Sequence, residues 1–364
     1  MQQTFINLDH NATTPPFRQV VDLVGVVMAE AGNPSSIHAS GRRAHQRLET
    51  ARRQVAALCG ARARDLIFCS SATEANNQIL KHFAGVKIFR PPTEHQAVLA
   101  PCPGIDLGLD GAGALDLEHV ARVLYHEKDP LVLAIMAANN ETGVISDLKD
   151  LAQIVAQARA AGCQVHYHID AVQAAGKLPI DMTDWGCDSL ALSAHKMGGP
   201  QGVGALVLRP GLDIGPLIYG GGQERRRRGG TENVAGIAGF GLACELAQDL
   251  FDASDLRLRL ERGVKALNPG AHIVGEHMAR LSNTTCLLTP GKSAQMLLMQ
   301  FDLAGIGLSS GSACSSGKIS GSHVLQAMGY GNEMARSALR FSLGRETTQA
   351  HIDQALKAYG AACR

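Results

Sequence analysis

Leu192-Ser193-Ala194-His195-Lys196-Met197-Gly198-Gly199-Pro200 ends an apolar run and breaks into a Gly/Pro turn, the pattern of a buried strand reaching its last residue. A lysine at such a mouth costs side-chain entropy to order. One common use for it is a Schiff base, for which a depressed amine pKa helps. Ser193 and His195 beside it supply donors for an anion. Read alone, the stretch is equally a surface turn that carries a lysine.

Working outward, Val165-His166-Tyr167-His168-Ile169 is a second strand-like run; it ends at Asp170 and is followed by Gln173. In a parallel sheet both strands deliver their last residues to one edge, which is where open α/β sheets bind ligands. A carboxylate facing a lysine imine across one ring is the arrangement pyridoxal phosphate needs, because the acid protonates the pyridine nitrogen and makes the ring an electron sink. A third apolar run, 66–69, opens directly into Ser70-Ser71-Ala72-Thr73-Glu74 at a helix start. Small residues, unpartnered N–H groups and the helix dipole make that turn either a phosphate cup or an ordinary N-cap.

Strand patterns at 86–89, 131–137 and 203–208 alternate with helical patterns near 117–125 and 148–161. This rhythm predicts an α/β fold, a mostly parallel sheet with helices on both faces. A long apolar helix is expected within 231–250. Beyond it the pattern turns to α+β, with a helix to about 267, strands near 273 and 285–288, and a helix at 294–301. The expected division is a large domain over 14–250 and a smaller α+β domain built from 1–13 and 251–364.

A net charge of +1 excludes any general pull toward nucleic acid or anionic membrane, and the run Arg225 to Arg228 reads as a solvated loop. No stretch reaches the roughly 18 apolar residues of a membrane span, and the first residues lack a basic-then-apolar signal, so a cytoplasmic protein is expected. Nine cysteines without a C-x-x-C pair argue for reduced thiols. His166 and His168 form an H-x-H with no second ligand pair, and no metal is expected.

Leu8-Asp9-His10-Asn11-Ala12-Thr13-Thr14-Pro15, Gly32-Asn33-Pro34-Ser35-Ser36, Ala72-Thr73-Glu74, Glu94-His95 and Asn139-Asn140-Glu141-Thr142-Gly143 stand in order along the chain. Asp170-Ala171-Val172-Gln173, His195-Lys196, Gly229-Gly230-Thr231-Glu232-Asn233, Ser309-Ser310-Gly311-Ser312-Ala313-Cys314 and Arg340-Phe341-Ser342-Leu343-Gly344-Arg345 complete the set. The ordered set resembles the cysteine desulfurases, NifS/IscS-type members of the class V aminotransferase-like, fold-type I pyridoxal phosphate enzymes. The resemblance implies Lys196 as the cofactor lysine, Asp170 as the pyridinium partner, and Gln173 and Asn140 as donors to the phenolic oxygen. It implies His95 stacked on the ring as an acid or base, and Ala72, Thr73, Ser193 and His195 on the phosphate. Thr231 is implied to reach the phosphate of the neighbouring subunit, which makes the enzyme a homodimer.

Cys314 lies in a Ser/Gly run too polar for a core strand, either an incidental thiol or a nucleophile that carries sulfur outward. Arg340 lies in an apolar run, where either a salt bridge or a substrate carboxylate would satisfy it; Asn33 is implied to share that carboxylate. His10 and Gln201 depart from the residues usual in relatives. The implied reaction takes sulfur from L-cysteine, giving alanine and a persulfide on Cys314 for a protein sulfur acceptor or iron–sulfur scaffold. The chain also lacks the longer tail some relatives use around a scaffold, which leaves the acceptor open. A selenocysteine lyase or small-molecule aminotransferase of the same fold would keep Lys196 and Asp170 without needing a mobile thiol.

Overall fold

The computed structural model describes residues 5–310 and 321–363. Strand β1 (Ile6–Asn7) opens the described chain. Strands β2 (Leu66–Cys69), β3 (Lys87–Arg90), β4 (Ile105–Asp106), β5 (Leu131–Met136), β6 (Val165–Asp170), β7 (Ser189–Ser193) and β8 (Gly204–Leu208) form one sheet in the order β2-β8-β7-β6-β5-β3-β4. Every pair from β4 to β7 is parallel, whereas β8 runs against both β7 and β2. The sheet is therefore mostly parallel. Strands β2, β6 and β7 all point the same way and end at one edge.

Both faces of this sheet are buried, so its strands read as continuous apolar runs, Leu131–Met136 being buried at every position. Helices α1 (Arg18–Glu30), α2 (Ala39–Leu58), α3 (Ala72–His82), α4 (Gln96–Leu99), α5 (Leu117–His126) and α6 (Leu148–Ala160) are strung between these strands or precede them. After the one-turn α7 (Gln223–Arg226) comes α8 (Val234–Leu246), which is apolar all round because it packs against both α1 and α2. Gly241 lets α8 approach α2 closely: a Cβ there would stand 2.5 Å from Ala51 Cα. The expected helix in 231–250 is shorter, because Asn233 caps it by accepting from Gly236 N–H.

Helix α9 (Ser254–Leu267), strands β9 (His272–Ile273) and β10 (Thr284–Leu288), and helix α10 (Ala294–Leu303) follow. Next come β11 (Ile306–Gly307), β12 (Ser309–Ser310), α11 (His323–Ala327), α12 (Asn332–Ala335), β13 (Ala338–Ser342) and α13 (Gln349–Cys363). Strands β12, β13, β10 and β9 make an antiparallel sheet in that order, and β11 pairs in parallel with β1. Ile6 and Leu8 share one apolar cluster with Leu260, Phe301, Phe341 and Tyr359, so these two residues are buried among side chains from far along the chain.

Candidate active site

At the shared strand edge, Cys69 of β2, Gly204 of β8 and Ser193 of β7 lie side by side, and Asp170 ends β6 one strand away. The turn after β2 feeds α3 through an N-cap: Ser71 Oγ accepts from Glu74 N–H (3.3 Å), and Glu74 Oε2 reaches back one residue before the cap to accept from Ser70 N–H (2.8 Å). The first helical N–H groups, those of Ala72 and Thr73, have no intrahelical partner by geometry. Gly204 brings β8 under this turn; a Cβ on it would sit 2.5 Å from Ser71 C and 2.8 Å from Ala72 N. Ser193 Oγ, next to the turn, is buried and has no hydrogen-bond partner among the described residues.

A cavity of 320 Å³ opens at this edge and is lined by Ala72, Thr73, His95, Asn140, Asp170, Gln173, Ser193, His195, Lys196 and Arg340. Asn11, Ala12 and Asn76 line it as well. Lys196 ends a 3₁₀ turn that follows β7, and its Nζ donates to the carbonyls of Asn11 (2.6 Å) and Ala12 (2.7 Å). Burial pushes its amine down to about 8; the charge of Arg340 adds to this, while Asp9 and Asp170 pull the other way.

Asp170 accepts from Asn76 Nδ2 (2.7 Å) and Val172 N–H (3.0 Å). Gln173 Nε2 donates to Asn11 O (3.1 Å), and its Oε1 accepts from Lys177 Nζ (3.1 Å). His95 is the N-cap of α4, where Nδ1 accepts from Ala97 N–H (3.1 Å) and leaves Nε2 to carry the proton. Burial lowers its pKa, as does the charge of Lys196, against the pull of Asp170. His195 packs against Thr13 Oγ1 (3.1 Å) and is pushed down to about 4 by burial and by Lys196.

Arg340 is buried on β13; its Nη2 donates to Asp9 Oδ1 (2.7 Å) and its Nη1 to Asn140 O (3.1 Å), while Nε has no partner among the described residues. Two implied residues are not brought to the cavity. Asn33 is exposed, its Oδ1 accepting from Ser35 N–H, and Thr231 is exposed in the segment before α8. Cys314 lies outside the described residues. The residues on either side are held at the site: Ser309 pairs with Arg340, Ser322 Oγ donates to Glu141 Oε2 (2.5 Å), and His323 Nε2 donates to Glu94 O (3.0 Å).

Sequence reasoning missed Asn76, Asn11, Asp9 and Lys177. Asn76 sits one helical turn after the Ser-Ala-Thr turn and could have been found as a polar residue on the apolar face of α3. Of the two departures, His10 binds Thr14 Oγ1 (2.8 Å) and fills the space over Gly344, and Gln201 reaches Thr13 Oγ1 (3.4 Å).

The profile of the family described as aminotransferase class-V matches residues 6–355. The chain is similar to cysteine desulfurase IscS of Dictyoglomus turgidum, 37% identical over 96% of this chain and 92% of that one. A cysteine desulfurase of Cereibacter sphaeroides is 40% identical over 97% and 94%. Among solved structures, a NifS-like protein from Rickettsia africae ESF-5 superposes with a TM-score of 0.91 at 37% identity, covering 98% of this chain and 99% of that one. The chain belongs to the class-V aminotransferase family. Within it, the chain falls in the NifS-like, cysteine desulfurase branch.

Proposed function

We infer that the protein is a cysteine desulfurase that uses pyridoxal 5′-phosphate to remove sulfur from L-cysteine. One observation carries this reading: a lysine with a depressed amine, a strand-end carboxylate and a small-residue helix start line the same cavity. The donor set fits the cofactor. Ala72 and Thr73 N–H with the unpartnered Ser193 hydroxyl suit a phosphate, Asp170 suits a pyridine nitrogen, and Lys196 suits the aldehyde carbon. When bound, the cofactor supplies an electron sink for the substrate carbon that loses its proton.

The chain's own groups do the rest. Lys196, with an amine near 8, can hold or release a proton at Nζ close to neutral pH and so serves as the base for the substrate Cα proton. His95 offers a protonated Nε2 over the cavity, and Gln173 and Asn140 line the same wall. Arg340, with a buried donor left over among the described residues, binds the substrate carboxylate, a role that Asn33, exposed away from the cavity in the single chain, does not share there. Cys314 attacks the substrate sulfur as a thiolate; the Cβ–S bond breaks, a persulfide forms on Cys314, and protonation of the remaining carbon frame yields L-alanine.

Five of the eight other thiols are unsuited to this role. Cys59, Cys69, Cys187, Cys244 and Cys286 are buried, and burial pushes each thiol well up, Cys59 to about 12. The exposed Thr231 and the exposed apolar side chains of Val21, Val26 and Met28 on α1 support a homodimer in which Thr231 serves the partner's site. The persulfide then passes to a protein sulfur acceptor or iron–sulfur scaffold. No helix among the described residues is long and apolar enough to cross a membrane.

The test is to incubate the purified protein with pyridoxal phosphate and L-cysteine, following sulfide and alanine with and without reductant. Equimolar alanine and reducible sulfur are expected. Cys314→Ser should bind L-cysteine yet release no sulfide; if it retains most of its sulfide production, the lyase or aminotransferase reading replaces this one.

A further inference from the structure

His166, His168 and Asp170 alternate along β6 and so face the same side of the sheet, the side covered by α3. Their side chains form one buried line. Asn76 Nδ2 donates to Asp170 Oδ2 (2.7 Å), and Asn76 Oδ1 meets His168 Nε2 (2.9 Å). Ser189 Oγ on the adjacent strand β7 then bridges His168 Nδ1 (2.8 Å) and His166 Nε2 (2.8 Å). Asn76, His168 and Ser189 are fully buried.

The chemistry of the groups fixes the direction of every bond in the line. A carboxylate only accepts, so Asn76 must turn its NH₂ to Asp170 and its oxygen to His168. His168 therefore carries its proton on Nε2. Burial pushes its pKa down to about 3, so the imidazole is neutral and Nδ1 accepts from the Ser189 hydroxyl. Ser189 has one proton to give, so it must accept from His166 Nε2–H. His166, pushed down to about 2 by burial and its cationic neighbours, ends the line with a bare Nδ1; Asp188 Oδ2 lies 3.9 Å away, itself held by Arg159 and Arg209. Every donor in the line points toward Asp170.

We propose that His168 is a positioning residue for Asp170: the one-way line through Ser189, His168 and Asn76 locks the Asn76 amide with its NH₂ on the carboxylate and keeps Asp170 aimed into the cavity for the cofactor's pyridine nitrogen. This rests on the reading that the cavity binds pyridoxal phosphate. Without the His168 donor, Asn76 is free to turn its oxygen against Asp170, and two acceptors face each other. Both histidines of the H-x-H pattern meet the same serine hydroxyl, and His168 also reaches Asn76.

Two measurements decide it. The first uses cofactor-free protein labelled with ¹⁵N-histidine, with two-bond ¹H–¹⁵N spectra of the 14 histidines resolved by His166→Gln and His168→Gln variants. Both imidazoles are expected as neutral Nε2–H tautomers that do not titrate from about pH 6 to about pH 9. An Nδ1–H tautomer at His168, or titration in that range, overturns the line.

The second loads the protein with pyridine-¹⁵N pyridoxal phosphate. Relative to the parent, folded His168→Leu should lose protonation at the pyridine nitrogen and bind the cofactor about tenfold more weakly. His168→Gln, whose amide also donates, should recover both, which a mere packing role would not predict. If His168→Leu does not fold, Ser189→Ala takes its place, with a smaller shift of the same sign expected. An unchanged ¹⁵N resonance in a folded variant overturns the proposal. Failure of the parent to take up pyridoxal phosphate would instead overturn the cofactor reading, while the histidine spectra still decide whether the line exists.

Discussion

Arg52 and Arg340 are both buried and both meet carboxylates, and they are used in opposite ways. Arg52 on α2 spends its whole fork inside the protein: Nη1 and Nη2 grip Glu224 (2.8 and 2.7 Å), Nη1 also donates to Leu66 O, and Nε donates to Glu49. Glu224 in turn accepts from Phe68 N–H (2.9 Å), and the guanidinium stacks on the Phe68 ring at 4.8 Å. This closed pair pins a strained turn, since Glu224, Arg225 and Arg226 all have positive φ (46°, 57° and 66°), where non-glycine backbone is disfavoured. Arg340 is just as buried but not closed. Its Nε has no partner among the described residues, its carboxylate Asp9 is 24% exposed, and the arginine itself lines the cavity. A saturated guanidinium holds structure, whereas an unsaturated one at a cavity wall is available to a ligand.

The largest expected effect tests the closed pair. Arg52→Met strands the Glu224 carboxylate and should lower stability by about 3–5 kcal/mol in urea unfolding, while the double variant Arg52→Met/Glu224→Met should regain most of it. A single variant within about 1 kcal/mol of the parent would erase the distinction between the two arginines.

Next comes the open pair. Arg340→Gln leaves Asp9 able to reach water, so its stability cost should be smaller than that of Arg52→Met, but kcat/KM for L-cysteine should fall roughly hundredfold. Kinetics near the parent value would mean that Arg340 is as structural as Arg52.

The Lys196 amine reports on the same pair. In cofactor-free protein only the deprotonated amine is acetylated, so modification of Lys196, read by mass spectrometry, should rise through a midpoint near pH 8. Burial sets most of that depression and Arg340 adds to it. Arg340→Gln should therefore move the midpoint up, and Asp9→Asn, which removes an opposing negative charge, should move it down. A midpoint unmoved by both changes would show that Arg340 and Asp9 exert no field on the lysine. The smallest effect is on binding: Asp9→Asn removes a competitor for Arg340 and should lower KM for L-cysteine about two- to threefold in steady-state kinetics.

The strands that build the site were legible because both faces of their sheet are covered, so 131–137 and 165–169 read as apolar runs bounded by turns. Lys196 and Asp170 stood out for the same reason, as charges at the ends of such runs. What the sequence hid is pairing across distance. Asp9 and Arg340 meet from 331 residues apart, and no local pattern links them. Asn76 and Lys177 matter only through the atoms they turn toward Asp170 and Gln173. The antiparallel turn of β8 was equally hidden, because a buried strand carries the same composition in either direction.

The parallel pairing of β1 with β11 has a consequence for how the protein is made. Ile6 and Leu8 have no apolar cluster to join until α10, β13 and α13 exist, and Asn11 bonds Thr284 and Ser342. At ribosomal speeds of about 5–20 residues per second, the first dozen residues wait roughly half a minute for their partners. The two carbonyls that receive the Lys196 amine belong to that waiting segment. A nascent chain can thus complete its seven-stranded sheet early, but it finishes the floor of its cavity only as synthesis ends.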